Sequence, residues 1–534
     1  MTERRVVFWV SFVAYVALAA YLVLHRGILF GDALSRVGNA QYVVFSRDPH
    51  VAAVGFVWNP LPSLVLLPLL PLRWVWPALT SYGFAGALAS AAFMAGAVGL
   101  VRGLLADLGV GRVARLSLTA AFALHPMIAL YASNGMSEAP LLFFSLLATR
   151  ALMRWLADGR TRELAVCGCA LALAYLTRYE AAASALAVVG LVLVVSLLRA
   201  SGSLRERRAI ALADVTVVGL PFAATFALWA VISKVVVGTW FATFTSSYGN
   251  SAQVAGAAAS IRESTGGTFE GQVRYLLAQA TGLAPLLLPL LLLALVLAVA
   301  RRDLRVLGPL GALGAVVAFD GYAFLSGRSF GWLRFSLCAV PLAVVLAGLV
   351  AASRPRWRPI RWAPAVAASL SVLVALPPAA ATMLDRRLAR EEAHVARAVV
   401  PGLSNDSDDR YARTFRTDRA VAADLDAMPL GRGAVLTDAA FSFAILVSTR
   451  HPTRFVITPD KDFQRTLADP PLFGVRYLLV PDPSAATYDA LNVAYPGLWD
   501  GRALGVELVR EWRNDGAGPR WRLYALPQGT MPLS

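Results

Sequence analysis

The chain has 534 residues, of which 57% are hydrophobic and only 15% are charged. Soluble globular domains carry about 25% charged residues, so this composition excludes a chain that folds mostly in water. The formal net charge of +16 comes from arginine, since Lys234 and Lys461 are the only lysines. We interpret this skew as the codon bias of a GC-rich genome, and we expect no nucleic-acid partner.

Eleven apolar segments are predicted to span a membrane, because a span needs roughly 20 apolar residues. The first has no small-residue cleavage site before His25, so we interpret it as a membrane helix rather than a cleaved leader. The predicted spans are residues 6–24, 79–101, 116–132, 139–156, 164–178, 180–198, 210–235, 275–300, 306–326, 332–352 and 362–384.

Arginine clusters occupy every second connection, and the other connections hold only scattered charges. Because arginine-rich loops stay in the cytoplasm, this alternation predicts a cytoplasmic N-terminus and a C-terminus outside a bacterial plasma membrane. The clusters are Arg4 and Arg5; Arg102, Arg112 and Arg115; Arg154, Arg160 and Arg162; Arg199, Arg205, Arg207 and Arg208; Arg301, Arg302 and Arg305; and Arg354, Arg356, Arg358 and Arg361.

Two predicted outer loops are long. Residues 25–78 include the segment Trp58-Asn59-Pro60-Leu61-Pro62 and an apolar piece, 63–72, which is too short to span and is expected to lie in the interface or to re-enter. Residues 238–274 are rich in serine, threonine, glycine and alanine and contain Tyr248. Their composition fits a mobile lid and an inert linker about equally.

The composition changes near Asp385 to that of a soluble domain, which divides the chain into residues 1–384 and 385–534. None of the three cysteines lies in the second part, which excludes a disulfide framework there. Alternating strands and helices predict a small extracytoplasmic α/β domain. The predicted strands are 434–437, 454–457, 475–480, 506–512 and 520–525, and the predicted helices are 439–449, 461–468 and 485–494.

Two carboxylates are predicted at the outer surface of the membrane. Asp32 opens the first outer loop, where a carboxylate can take a proton from an acceptor hydroxyl. Asp is also a favoured N-cap, so Asp32 can instead cap a short helix over 33–45. Glu138 follows the third span and precedes Pro140 at a helix start, where the helix dipole also favours a carboxylate.

Basic residues are predicted on the same side. Moving a sugar from a lipid phosphate requires cations that hold the leaving phosphate and stabilise its growing charge. Arg178 and Arg334 lie at outer membrane edges, where snorkelling to lipid headgroups is the competing interpretation. Arg328 lies in a glycine-flanked outer turn and can also reach a phosphate.

The order and sidedness of these motifs resemble the GT-C glycosyltransferases, and within them the protein O-mannosyltransferase and aminoarabinose transferase group. The resemblance covers roughly residues 1–350. It rests on Gly31-Asp32-Ala33-Leu34-Ser35-Arg36, Trp58-Asn59-Pro60-Leu61-Pro62, the segment from Tyr131 to Pro140, Leu176-Thr177-Arg178-Tyr179-Glu180, and the segment from Arg328 to Phe335.

The resemblance implies a role for each matching residue. Asp32 falls on the catalytic acidic position, Glu138 on an acidic position beside the donor phosphate, and Arg178 and Arg334 on phosphate-holding positions. Ala33 follows Asp32 where the family often has an Asp-Glu pair, which argues against a metal and against a mannosyltransferase-like acceptor. Further acceptor or loop candidates are Arg36, Trp58, Asn59, Asn134, Glu180 and Tyr248.

The leading hypothesis is an inverting glycosyltransferase of about eleven membrane helices with a C-terminal α/β domain. It takes its sugar from a polyprenyl phosphate and transfers it to an envelope glycan, glycolipid or protein. No metal site is predicted, and a divalent cation is the only cofactor left open. The alternatives are a lipid or glycan transporter, for which Asp214 and Asp320 are the candidate mid-span charges, and a non-catalytic envelope-assembly protein.

Overall fold

The computed structural model of the protein describes residues 2–246, 249–353 and 362–527. Its first part is a helical bundle. The helices are α1 Glu3–His25, α2 Gly31–Phe45, α3 Phe84–Asp107, α4 Arg112–Leu124, α5 Pro126–Tyr131, α6 Glu138–Asp158, α7 Thr161–Thr177, α8 Ala181–Arg199, α9 Leu204–Val237, α10 Phe269–Leu283, α11 Leu287–Arg301, α12 Leu304–Leu325, α13 Leu333–Ala351 and α14 Ala363–Leu384.

The described ranges confirm a polytopic helical membrane protein but not the count of eleven spans. Eight helices are long and apolar enough to cross a bilayer, and α10 with α11, bent by 75°, makes a ninth if the pair counts as one span. The third predicted span is broken into α4 and α5, because Pro126 forces His125 out of helical geometry. The fifth is α7, which has 17 residues and so reaches only about 26 Å.

The two long connections form short helical turns. Between α2 and α3 these turns are Val51–Val54, Leu61–Leu64, Leu70–Trp74 and Ala78–Ser81, so the apolar piece at 63–72 forms no spanning helix. Between α9 and α10 they are Ala242–Thr245, Asn250–Gly256 and Ala258–Thr265. Tyr248 and the arginine cluster predicted at 354–361 lie outside the described residues.

The C-terminal part is an α/β unit whose strands lie within two residues of the predicted ones. Its sheet has the order β2-β1-β3-β5-β4, with β1 parallel to β2 and β3, and β5 antiparallel to β3 and β4. The elements are α15 Glu392–Val399, α16 Asp406–Ala412, α17 Arg416–Ala427, β1 Val435–Thr437, α18 Ala439–Ser448, β2 Phe455–Ile457, α19 Phe463–Ala468, β3 Tyr477–Pro481, α20 Ala490–Ala494, β4 Glu507–Trp512 and β5 Trp521–Ala525.

Helix α2 is held between the membrane bundle and this α/β unit. The buried Gln41 on α2 donates a 2.6 Å hydrogen bond to the main-chain oxygen of Leu446 on α18. Just after α2, Arg47 forms an ion pair with Asp460 at 3.1 Å. The first turn of α2, which carries Asp32, is therefore fixed from both sides.

Helices α7 and α9 cross at a glycine. A Cβ on Gly168 would lie 2.4 Å from the main-chain oxygen of Val218, so the two backbones touch. Small residues permit such close crossings in membrane bundles. The crossing therefore depends on the absence of a side chain at Gly168.

We expect Gly168→Ala to separate these helices and to lower the free energy of unfolding by about 1–3 kcal/mol, the usual cost of overpacking. Thermal unfolding in detergent would measure it. The matched control is Gly190→Ala on α8, where an added Cβ meets nothing within 4 Å, so alanine should be neutral or slightly stabilising. Equal unfolding temperatures for the two variants would contradict the predicted contact.

Candidate active site

The outer ends of α2, α6, α7 and α13 meet around a cluster of charged side chains. Asp32 lies in the first turn of α2, after the N-cap residue Phe30, and it makes no capping hydrogen bond. The prediction that Asp32 caps a helix over 33–45 is therefore wrong, because the helix already begins at Gly31. Its carboxylate is free of the backbone, and Oδ2 accepts a 3.0 Å hydrogen bond from Nη2 of Arg334.

Arg334 is the hub of the cluster, with a side chain only 3% exposed. Besides Asp32, its guanidinium contacts Oε1 of Glu138 through Nε at 3.7 Å and Oε2 of Glu391 through Nη1 at 3.1 Å. Its Cζ lies 4.1 Å from the centroid of the Trp332 ring, a cation–π contact. One buried cation thus joins three carboxylates from separate parts of the chain.

Arg178 supplies a second buried guanidinium beside the first. It lies in the turn between α7 and α8 and donates from Nη1 to Oε1 of Glu138 at 2.6 Å and from Nη2 to Oε1 of Glu180 at 2.7 Å. Glu138 begins α6, where the helix dipole stabilises its charge. Glu138 is therefore shared by Arg178 and Arg334, as the placement of both arginines at the outer edge required.

Gly135 allows the connection before α6 to approach the first turn of α2. Gly135, just before α6, has φ +79°, and a Cβ there would lie 3.2 Å from Cβ of Ala33 and 3.2 Å from the backbone of Gly86. Only glycine adopts this conformation at such close range without strain. The connection before α6 consequently rests directly on the first turn of α2, which brings Glu138 toward Asp32.

Three of the further candidates, Arg36, Trp58 and Asn59, contact neighbouring parts of the protein. The guanidinium of Arg36 lies 5.1 Å from the Trp58 ring and donates to the main-chain oxygen of Asp32 at 3.1 Å. Asn59 donates its side-chain amide to the main-chain oxygen of Tyr175. These contacts tie the first outer loop to the first turn of α2 and to α7.

Asn134 and Arg328 differ from the other candidates. Asn134 accepts a 3.0 Å hydrogen bond from the Met136 backbone, and its buried Nδ2 has no hydrogen-bond partner among the described residues. The side chain of Arg328 is exposed, and its main-chain oxygen accepts a hydrogen bond from Asn250 at 3.1 Å. Arg328 therefore lies outside the cluster and does not line the pocket beside it, as far as the described residues show.

The cluster lines a narrow pocket of about 50 Å³. The connection between α9 and α10, which is the segment predicted to be a lid or a linker, also contributes to its lining. The lining includes Asp32, Arg36, Trp58, Arg178, Glu180 and Arg334, with Thr243, Asn250 and Gln253 from that connection.

Sequence reasoning missed the acidic pair that follows the last span. Glu391 reaches Arg334, and the buried Glu392 accepts a 2.7 Å hydrogen bond from the hydroxyl of Tyr131. Burial, opposed by Arg334, raises the pKa of Glu391 to about 7. The two adjacent acids lie seven residues beyond Leu384, the end of the last apolar run, and this spacing made them a weaker signal than Asp32.

Glu391 should make stability depend on pH. The pKa of Glu391 is about 7 in the folded protein, against an ordinary value of 4.5. The stability that protonated Glu391 contributes is therefore fully present below pH 4.5 and is lost as the pH rises through the folded-state pKa. We expect the thermal midpoint to fall between about pH 5 and 7, and Glu391→Gln to flatten part of that fall. The exposed Glu270→Gln is the control and should keep the wild-type profile. Parallel profiles for wild type and Glu391→Gln would refute this role.

No protein-family model matches the sequence, and no curated protein matches it significantly. Solved structures do match. ArnT from Cupriavidus metallidurans, crystallised with undecaprenyl phosphate bound, is 16% identical over 97% of both chains, with a TM-score of 0.54. The likeness at this TM-score confirms the expected GT-C-like fold.

Two further structures match more weakly. The Saccharomyces cerevisiae protein O-mannosyltransferase Pmt1-Pmt2 complex, bound to the sugar donor, is 18% identical over 43% of this chain and 34% of that one, with a TM-score of 0.33. An oligosaccharyltransferase from Archaeoglobus fulgidus is 11% identical over 90% and 70%, with a TM-score of 0.41. We base no argument on either.

Proposed function

We propose that the protein is an integral membrane glycosyltransferase. It would move a sugar from a polyprenyl-phosphate donor to a glycan, glycolipid or protein of the cell envelope, on the outer face of the plasma membrane. The observation that carries this proposal is the contact of Asp32 with Arg334, beside Arg178, on one wall of a pocket. In the proposed complex, Asp32 would act as the base, and Arg178 and Arg334 would bind the donor phosphate.

The proposed reaction is a single displacement with inversion. Of the three carboxylates that contact Arg334, only Asp32 lines the pocket, so it would take the proton as the acceptor oxygen attacks the anomeric carbon. The bond from that carbon to the phosphate oxygen breaks, and polyprenyl phosphate leaves with the electron pair. Arg178 and Arg334 would stabilise the leaving charge.

An apolar groove of about 210 Å³ is the proposed binding site for the prenyl chain. It lies between α1, α5, α14 and α15, and it is lined by Leu130 and Val395 among others. Leu130 adjoins Tyr131, and Val395 lies one turn from Glu392, so the groove ends beside the Tyr131–Glu392 hydrogen bond. A lipid lying in it from the bilayer side would have its phosphate near the arginines.

The competing transporter hypothesis needs polar groups that line a path through the spans. Asp214 accepts a 2.6 Å hydrogen bond from the hydroxyl of Ser196, which satisfies it locally. Asp320 lines a small cavity together with Glu138 and Arg178, so it belongs to the same cluster. These two placements favour transfer over transport. A non-catalytic assembly protein would have no need for the buried charges around Arg334.

The first test uses cells that lack the protein. We expect mass spectrometry of their lipid extracts to show an accumulating polyprenyl-phosphate sugar, because its consumer is missing, and envelope glycans to lack the same sugar. The wild-type gene should reverse both changes. Unchanged lipid-linked sugars and glycans would refute the proposed activity.

The second test replaces the proposed base. We expect Asp32→Asn to reduce transfer by about 10²–10⁴-fold, the usual contribution of a general base, while the protein still inserts and folds. Rescue of the deletion cells, scored by the accumulated lipid, measures the loss. The control is Asp406→Asn, the same change at a carboxylate that is 82% exposed, which should restore the wild-type pattern. Full rescue by Asp32→Asn would remove Asp32 as the base.

A further inference from the structure

A second cavity, of about 430 Å³, lies at the other end of α6. It is formed by the ends of α3 and α6, the start of α7, and Arg305 of α12. Glu138 begins α6 and Asp158 ends it, so this cavity lies about 30 Å from the cluster around Arg334. It therefore faces the arginine-rich side that the sequence places in the cytoplasm.

The cavity has an excess of positive charge. Five arginines but only three carboxylates line it: Arg150, Arg154, Arg160, Arg162 and Arg305, with Asp107, Asp158 and Glu163. Asp107 accepts hydrogen bonds from Nε of Arg150 at 2.7 Å and from Nε of Arg154 at 2.9 Å. Glu163 lies 3.8 Å from Arg154, Asp158 lies 3.6 Å from Arg160, and Arg305 pairs with Asp303 outside the lining. The five arginines therefore face four carboxylates, which leaves a surplus of one positive charge at the cavity.

The side chain of Arg150 packs against α3 at Gly103, where no side chain occupies the space. A Cβ on Gly103 would lie 2.8 Å from Cζ of Arg150, so the guanidinium lies directly against the backbone of α3. The Arg150 side chain is 17% exposed, whereas that of Arg160 is 72% exposed. Arg150 is thus held in place before any ligand arrives, which reduces the entropy lost on binding.

We propose that this cavity binds the phosphate headgroup of an anionic phospholipid from the leaflet opposite to the catalytic pocket. Arginine forks match phosphate oxygens geometrically and are weakly hydrated. Basic pockets at the cytoplasmic side of membrane helices typically bind such headgroups. Leu104, Leu108 and Met153 also line the cavity and would contact the start of the acyl chains. The excess charge then has its neutralising partner in the membrane.

The test uses the full-length protein, purified in detergent and stripped of lipid. Native mass spectrometry would measure its binding of phosphatidylglycerol against phosphatidylcholine. We expect the anionic lipid to bind at least tenfold more tightly, and Arg150→Gln/Arg154→Gln to abolish that preference. The matched control is Arg205→Gln/Arg208→Gln, which removes two exposed arginines on the same side but outside the cavity and should keep the preference.

A second variant distinguishes the loss of the binding site from a failure of the protein to fold. Gly103→Ala keeps every charge but displaces Arg150, so we expect it to weaken phosphatidylglycerol binding several-fold. Loss of the preference in the Arg205/Arg208 control, or unchanged binding by both cavity variants, would overturn the proposal. Inorganic phosphate is the remaining probe: if it alone binds the cavity as tightly as phosphatidylglycerol does, the ligand is a soluble anion and the lipid assignment is wrong.

Discussion

The packing around Asp32 depends on the burial of one guanidinium. Burying a charge is costly unless it is paired. Asp32 accepts a hydrogen bond from Nη2 of Arg334, and the nearby carboxylates of Glu138 and Glu391 compensate the rest of the charge of Arg334. These three carboxylates come from α2, from α6 and from the segment after α14. Satisfying one cation therefore brings together parts of the chain that are more than 300 residues apart.

Helix α6 distributes charge between the two faces of the molecule. Its first residue, Glu138, joins two arginines on the outer side, and its last turns place Arg150 and Arg154 on Asp107 at the other side. Around Arg334 the carboxylates outnumber the guanidinium groups, whereas the arginines outnumber the carboxylates in the lining of the cavity at the other end. The ligands proposed for the two ends differ accordingly: a phosphate-linked sugar at one end and a lipid headgroup at the other.

Much of the site could be predicted from the sequence, because charges at the ends of apolar runs are few and sidedness follows from the arginine clusters. Asp32, Glu138, Arg178 and Arg334 were found in this way. The N-cap role of Asp32 was wrong, since α2 begins at Gly31 and takes Asp32 into its first turn. Glu391 was missed because its partner lies in a distant part of the sequence. The break between α4 and α5 follows from Pro126, and the sequence analysis overlooked it because the surrounding residues are continuously apolar.

The hydrogen bond that joins α2 to α18 has a consequence for biogenesis. Helix α2 precedes its anchor at Leu446 by some 400 residues of chain. Until the α/β unit has been synthesised, α2 lacks that anchor and Arg334 lacks its contact with Glu391. Folding of the cluster around Arg334 is therefore completed only after the C-terminal part has been made.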